Sequence, residues 1–385
     1  MARKALREGR ARGRREFVRA GLVGGLGAAL ACGGGEAAAR TLALLAGEPQ
    51  GGGRFDWEEL TVRDAQAAMS GGRISARRLT EMYLERIERI DRRGPALNSV
   101  IETNPDAVSI AEALDRERKA GRVRGPLHGV PVLVKDNIDT ADRMETTAGS
   151  LALVGAKPRR DAFIVERLRA AGCVIVGKTN LSEWANFRST RSSSGWSGRG
   201  GQTRNPYALD RNPCGSSSGS GAAVSANLAL VGVGTETDGS IVCPSGACGI
   251  VGIKPSLGLV SRSGIIPISH SQDTAGPMAR TVADAAVLLA ALIQHDPGDL
   301  FRRGDGVGTV VGRPINYFMD ALDPAGLRGA RVGVARKFFG FNDRVDKLMA
   351  DAIDLLKREG AVVVDPADLP THGKFDAAEF EVLLY

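Results

Sequence analysis

Residues 161–179 read DAFIVERLRAAGCVIVGKT. The first half spaces Phe163, Ile164, Leu168 and Ala171 as one face of an amphipathic helix, and Gly172 stops it. The second half, from Cys173, is a continuous β-branched run with no polar alternation, which is the pattern of a strand covered on both faces. Upstream, GVPVLVKD at 129–136 is another such run. Downstream, SGAAVSANLA at 220–229 is helical in pattern and LVGVGT at 230–235 is again strand-like. The same alternation extends outward through LNSVIET at 97–103, PDAVSIAEALDRERKAG at 105–121 and VADAAVLLAALIQ at 282–294. It recurs in ARVGVAR, DKLMADAIDLLKREG and AVVVD between residues 330 and 365. Buried strands separated by amphipathic helices predict an α/β fold: one large domain around a mostly parallel mixed sheet with helices on both faces. Ahead of it, 60–72 and 75–94 read as helices, the second capped by Ser75 and stopped by Gly94.

A chain of 385 residues with 43% hydrophobic content can bury a core of that size. The formal charge of +7 is concentrated at one end: residues 1–20 carry +6, leaving +1 for the rest. A near-neutral body has no electrostatic reason to bind polyanions, so no nucleic-acid partner is expected. The basic head holds Arg14 and Arg15 before a short apolar run and Cys32, which predicts a twin-arginine export signal over residues 1–32. LAC before GGG also reads as a lipoprotein cleavage site, so Cys32 is a candidate lipid anchor and the expected location is periplasmic or membrane-anchored by lipid. Residues 33–54 read as a flexible tether, and 55–385 as the folded domain. Cys173, Cys214, Cys243 and Cys248 form no C-x-x-C pair and no metal spacing. Buried thiols are the simplest reading, and their spacing does not assign a disulfide.

Two serine-rich turns, CGSSSGSG at 214–221 and TETDGS at 235–240, flank the 222–234 helix and strand. Glycine just before Ser240 lets backbone amides converge on one point, where an oxyanion or a phosphate could sit. No phosphate-binding glycine motif accompanies it. Ser217 formally occupies a G-x-S-x-G elbow, but the preceding TRNPYALDRNPC is no strand. A serine nucleophile needs a base. Among His128, His270, His295 and His372, only His270 lies in a turn dense with polar residues, while His128 is read as part of a polar loop. Lys135, at the end of the apolar run GVPVLVK, is the other candidate, because burial favours a neutral amine.

GVPVLVKDNIDT, CGSSSGSGAA and GTETDGSIVCPSG, in that order and with Ser216 and Ser240 24 residues apart, resemble the amidase signature family. GIVGIKPSLGLVSRSGIIPISHSQDTAGPMART extends the likeness, most closely to its bacterial peptide amidases. The resemblance implies a Ser–cis-Ser–Lys triad: Ser240 as acyl-forming nucleophile, Ser216 as bridging serine on a cis peptide, and Lys135 as base. It implies an oxyanion hole from the backbone amides of Thr237, Asp238, Gly239 and Ser240, and neither metal nor organic cofactor. The implied substrate is a peptide C-terminal amide or a related small amide. A glutaminase subunit of an amidotransferase and a non-catalytic scaffold are the alternatives. Cys214, Ser218 and Asp238 stand where the family often has glycine. Family members continue past the position of Tyr385, and KFDAAEFEVLLY stops without a helix cap, so the domain is expected to lack a C-terminal part.

Overall fold

The computed structural model describes residues 57–299 and 316–384. The expected export signal at 1–32, with Cys32, and the tether at 33–54 lie outside the described residues. In chain order the described strands are β1 (Val100–Thr103), β2 (Pro131–Lys135), β3 (Val174–Thr179), β4 (Trp196–Ser197), β5 (Gly201–Gln202), β6 (Val231–Glu236), β7 (Val251–Gly252), β8 (Thr274–Ala279), β9 (Arg331–Gly333) and β10 (Val362–Val364). The α-helices are α1 (Val62–Ser70), α2 (Ala76–Arg86), α3 (Ala107–Lys119), α4 (Phe163–Ala170), α5 (Ser218–Ser225), α6 (Val242–Cys248), α7 (Val282–Leu292), α8 (Asn316–Asp320), α9 (Asp343–Arg358) and α10 (Asp376–Leu384).

A six-stranded sheet in the order β1-β3-β2-β6-β8-β7 forms the centre. Strands β3, β2 and β6 are parallel neighbours, and β1, β8 and β7 join them antiparallel. Each parallel step needs a crossover long enough for a helix. The β2–β3 connection contains α4 and the β3–β6 connection contains α5. All five residues of β2 and all six of β3 and of β6 are buried, which requires cover on both faces of the sheet. The mixed α/β architecture expected from the pattern of apolar runs is the one that forms.

The caps follow from side-chain chemistry. The hydroxyl of Ser75 accepts from the Arg78 amide at 3.0 Å to start α2, and a π-helical turn carries the chain on to Gly94. Thr61 and Thr281 cap α1 and α7 in the same way. Strand β8 has no sequence signature, because Gly276 and Pro277 interrupt it. It is accepted between β6 and β7 because the Pro277 carbonyl still receives the Ile253 amide at 3.1 Å. Further along, β9 and β10 pair in parallel with α9 between them, as the 330–365 pattern predicts.

Register sets the site. Val132, Leu133 and Val134 of β2 lie opposite Val231, Gly232 and Val233 of β6, so Lys135 and Thr235 emerge together at the carboxyl edge of the sheet. That edge of a parallel sheet is where ligands collect.

Candidate active site

Lys135 is fully buried. Its Nζ lies 2.8 Å from Ser216 Oγ, 2.8 Å from Thr235 Oγ1 and 3.2 Å from the Thr235 carbonyl. Burial pulls its pKa down from 10.5 to about 7, against the opposing pull of the Asp273 and Glu236 carboxylates. An ammonium would donate to all three oxygens, whereas the neutral amine can donate to the Thr235 groups and accept from the Ser216 hydroxyl.

Ser216 sits on the loop entering α5, and the Gly215–Ser216 peptide is cis. The Ser182 amide donates to the Ser216 carbonyl at 3.1 Å. Ser217, the next residue, is used up in joining the two turns. Its amide donates to the Ser240 carbonyl at 3.0 Å, and its hydroxyl donates to the Thr235 carbonyl at 3.0 Å while accepting from the Thr235 amide at 3.2 Å. The elbow reading of Ser217 therefore has no structural support. Gly234 is required here, since a Cβ would lie 2.8 Å from Ser217 Oγ and 2.9 Å from Met278 Sδ.

Ser240 follows β6 through Thr237, Asp238 and Gly239, and only 3% of it is exposed. Gly239 takes φ +72°, a conformation that favours glycine. Glu236 shapes this turn. Its Oε1 accepts from the Gly239 amide at 3.1 Å, and its Oε2 accepts from the amides of Ile241 at 2.6 Å and Val242 at 2.9 Å. Of the four amides expected to meet an oxyanion, that of Gly239 is thus turned to the carboxylate; those of Thr237, Asp238 and Ser240 lie along the same turn. Glu236→Gln sets an amide NH2 against one or more of these donors and is expected to cost about 2 kcal/mol. Urea unfolding with an unchanged midpoint would contradict that.

Asp273 ties the turn to the following loop: Thr237 Oγ1 donates to its Oδ1 at 2.5 Å, and the amides of Ile268 and Ser269 donate to its Oδ2 at 2.9 and 3.0 Å. Beside it opens a cavity of about 230 Å³ whose walls include Asn137, Thr235, Thr237, Ile265 and Ile268. Asn137 Nδ2 donates to Thr235 Oγ1 at 3.0 Å, backing the group that holds Lys135.

The histidines stand apart from the Lys135 amine. His270 is exposed on the cavity rim, and His295 and His372 are exposed elsewhere. His128 lies in a turn, as read, and is fully buried there, with Nε2 2.9 Å from the Leu114 carbonyl and Nδ1 accepting the Arg124 amide at 3.3 Å. The cysteines correct the sequence reading in part. Cys173 and Cys248 are buried thiols, but Cys214 and Cys243 form a disulfide with their Cα atoms 5.9 Å apart.

Thr235, Glu236 and Asp273 escaped the sequence reading, although all three lie inside or next to the quoted motifs. A second buried lysine, Lys178 on β3, escaped it too. Its Nζ donates to the Ile138 carbonyl at 2.6 Å and to Thr146 Oγ1 at 2.8 Å, and burial lowers its pKa to about 8 against the pull of Asp136.

The amidase family model matches residues 78–385. A probable amidase of Arabidopsis thaliana is 46% identical over 318 residues, covering 82% of this chain and 59% of that protein. A glutamyl-tRNA(Gln) amidotransferase subunit of Chloroflexus aurantiacus is 42% identical over 309 residues, covering 80% of this chain and 60% of that one. Among solved structures, the native peptide amidase of Stenotrophomonas maltophilia superposes with a TM-score of 0.78 at 54% identity, covering 86% of this chain and 68% of that chain. The chain spans about three fifths or less of the length of these and other curated relatives that it matches.

Proposed function

The chain belongs to the amidase family, and from that premise we propose that it hydrolyses carboxamide C–N bonds through an acyl-enzyme on Ser240. The observation that carries this reading is the contact of a fully buried, easily neutralised Lys135 amine with the Ser216 hydroxyl at 2.8 Å.

In the proposed mechanism Ser240 Oγ attacks the amide carbonyl. Its proton passes to Ser216 Oγ while the Ser216 proton passes to Lys135 Nζ, so the charge ends on the lysine and no imidazole is involved. The amides of Thr237, Asp238 and Ser240 donate to the oxyanion as it forms, while that of Gly239 stays on the Glu236 carboxylate. Collapse expels ammonia or an amine, which takes the proton back through the same relay. Water then attacks the acyl-enzyme and gives a proton to Lys135 through Ser216; collapse breaks the acyl C–O bond, the acid leaves, and the proton returns to Ser240 Oγ by the same relay.

Likeness to the Stenotrophomonas peptide amidase supports a peptide C-terminal amide as substrate. The twin-arginine stretch supports an exported protein, and a disulfide between Cys214 and Cys243 suits an oxidising compartment. Likeness to the glutamyl-tRNA(Gln) amidotransferase relatives supports the second reading, a glutaminase that feeds ammonia to a partner.

The test incubates the full chain with a peptide C-terminal amide, with its free-acid form as blank, and with glutamine, reading ammonia release. Alongside, a fluorophosphonate probe reports an activated serine. Release from the peptide amide together with covalent labelling is the expected result. Release from glutamine alone favours the glutaminase. Neither release nor labelling of the folded chain leaves the scaffold.

A further inference from the structure

The Ser216 and Ser240 turns are adjacent but come from different segments, and few bonds join them. The amide of Ser217 donates to the Ser240 carbonyl at 3.0 Å, and the Ser217 hydroxyl spans to Thr235. The covalent link is Cys214–Cys243, which closes a 29-residue separation. One end lies two residues before Ser216 and the other three residues after Ser240.

Both ends are set in the turns themselves. Cys214 takes φ +62°, a left-handed conformation that a side chain other than glycine seldom adopts without compensation. Its carbonyl accepts from Ser218 Oγ at 2.6 Å, in the first turn of α5. The Cys243 amide donates to the Gly239 carbonyl at 2.8 Å, in the first turn of α6. A displacement of either sulfur therefore passes directly to the backbone that presents Ser216 or Ser240. Cys243 is exposed and Cys214 half-buried, so the bond is within reach of a soluble thiol reagent.

We propose that the Cys214–Cys243 disulfide is a positioning element of the serine relay, holding the Ser216 turn against the Ser240 turn, so that its reduction slows acylation in a chain that stays folded. The proposal rests on the reading of Ser240 as nucleophile. A soluble dithiol supplies two electrons and two protons: the S–S bond breaks, thiols form at Cys214 and Cys243, and the reagent closes to its own disulfide. Relays of hydroxyls tolerate little misplacement, because a shift of about 1 Å can cost on the order of a hundredfold in rate.

The experiment compares the full chain as purified, after dithiothreitol, after reoxidation, and as the Cys214→Ser/Cys243→Ser double variant. Thiol titration before and after reduction counts the bond. The rate of fluorophosphonate labelling and the kcat and KM for a peptide amide are measured in each state, with far-UV circular dichroism to verify folding. The expected result is a fall of tenfold or more in labelling rate and kcat, little change in KM, and recovery on reoxidation. A purely structural bond would instead lower the melting temperature and leave kcat of the folded chain unchanged, which overturns the proposal. So does a purified chain whose Cys214 and Cys243 alkylate without reductant. Hydrogen exchange at residues 214–219 and 237–243 supplies a readout that needs no turnover. If no form is labelled, the nucleophile reading fails, and faster exchange on reduction still supports the positioning role whereas unchanged exchange overturns it.

Discussion

Ser240→Ala loses about 10⁴-fold or more in kcat toward a peptide amide, with KM little changed. The size follows from the chemistry: alanine leaves the oxyanion turn without an atom to form the acyl bond, so only positioning and electrostatic stabilisation remain. The fold has small reason to respond. Ser240 is bonded to Ser217 through its backbone carbonyl, and the turn is held by the Glu236 carboxylate, so neither anchor uses the serine hydroxyl. Loss of activity with an unchanged urea midpoint is therefore the expected pair of results. It is measured by ammonia release from the amide and by the disappearance of fluorophosphonate labelling. A variant that turns over within tenfold of the parent removes Ser240 from the chemistry and sends attention back to the neighbouring hydroxyls.

Ser217 is the neighbour that the sequence offers most plainly, and the reason it drops out is instructive. A G-x-S-x-G string is a statement about spacing, whereas an elbow needs a strand delivering it to the sheet edge. Here the segment before it contains Asn205, Pro206 and Pro213, and Ser217 Oγ ends on the backbone of Thr235. Lys135 and Thr235 became neighbours for the opposite reason: β2 and β6 are continuous buried runs, legible as strands, whose parallel register aligns their carboxyl ends.

What stayed illegible depends on contacts between distant residues. Glu236 looks like one more acid in TETDGS until its carboxylate folds back on three amides. Strand β8 is concealed by Pro277, which breaks the strand pattern but not the carbonyl side of the ladder. The disulfide is hidden for a different reason, since 29 residues of separation say nothing about whether two Cα atoms finish 5.9 Å apart. His128, beside Pro126 and Gly125, has the local composition of a loop, and its burial comes from the Leu114 carbonyl that receives its ring.

The acid limb of the pH–rate profile tests the base directly. If Lys135 must be neutral to accept the Ser216 proton, kcat/KM falls roughly tenfold per pH unit below an apparent pKa near the value of about 7 to which burial lowers the amine. Lys135→Met is expected to lose on the order of 10³-fold on the plateau above that pKa, in the range of a lost general base, and to abolish the limb, so that its deficit shrinks as pH falls. Lys135→Arg separates a base from a fixed charge, since a guanidinium keeps its proton throughout; it too should be inactive. Stability follows the same titration. Between pH 7 and 10.5 the unfolded lysine binds a proton that the folded one does not, so its contribution to folding stability rises with pH across that window. Below pH 7 the folded chain carries the full cost of a buried ammonium. Lys135→Met removes that cost, and the gap in urea-unfolding free energy between variant and parent should narrow from pH 7 to pH 9 by up to about 1.4 kcal/mol per pH unit. Lys178, lowered to about 8, adds a slope of the same sign, but it is present in both proteins and cancels in the difference. An active Lys135→Met, or a parent with no acid limb, would require a base other than this lysine.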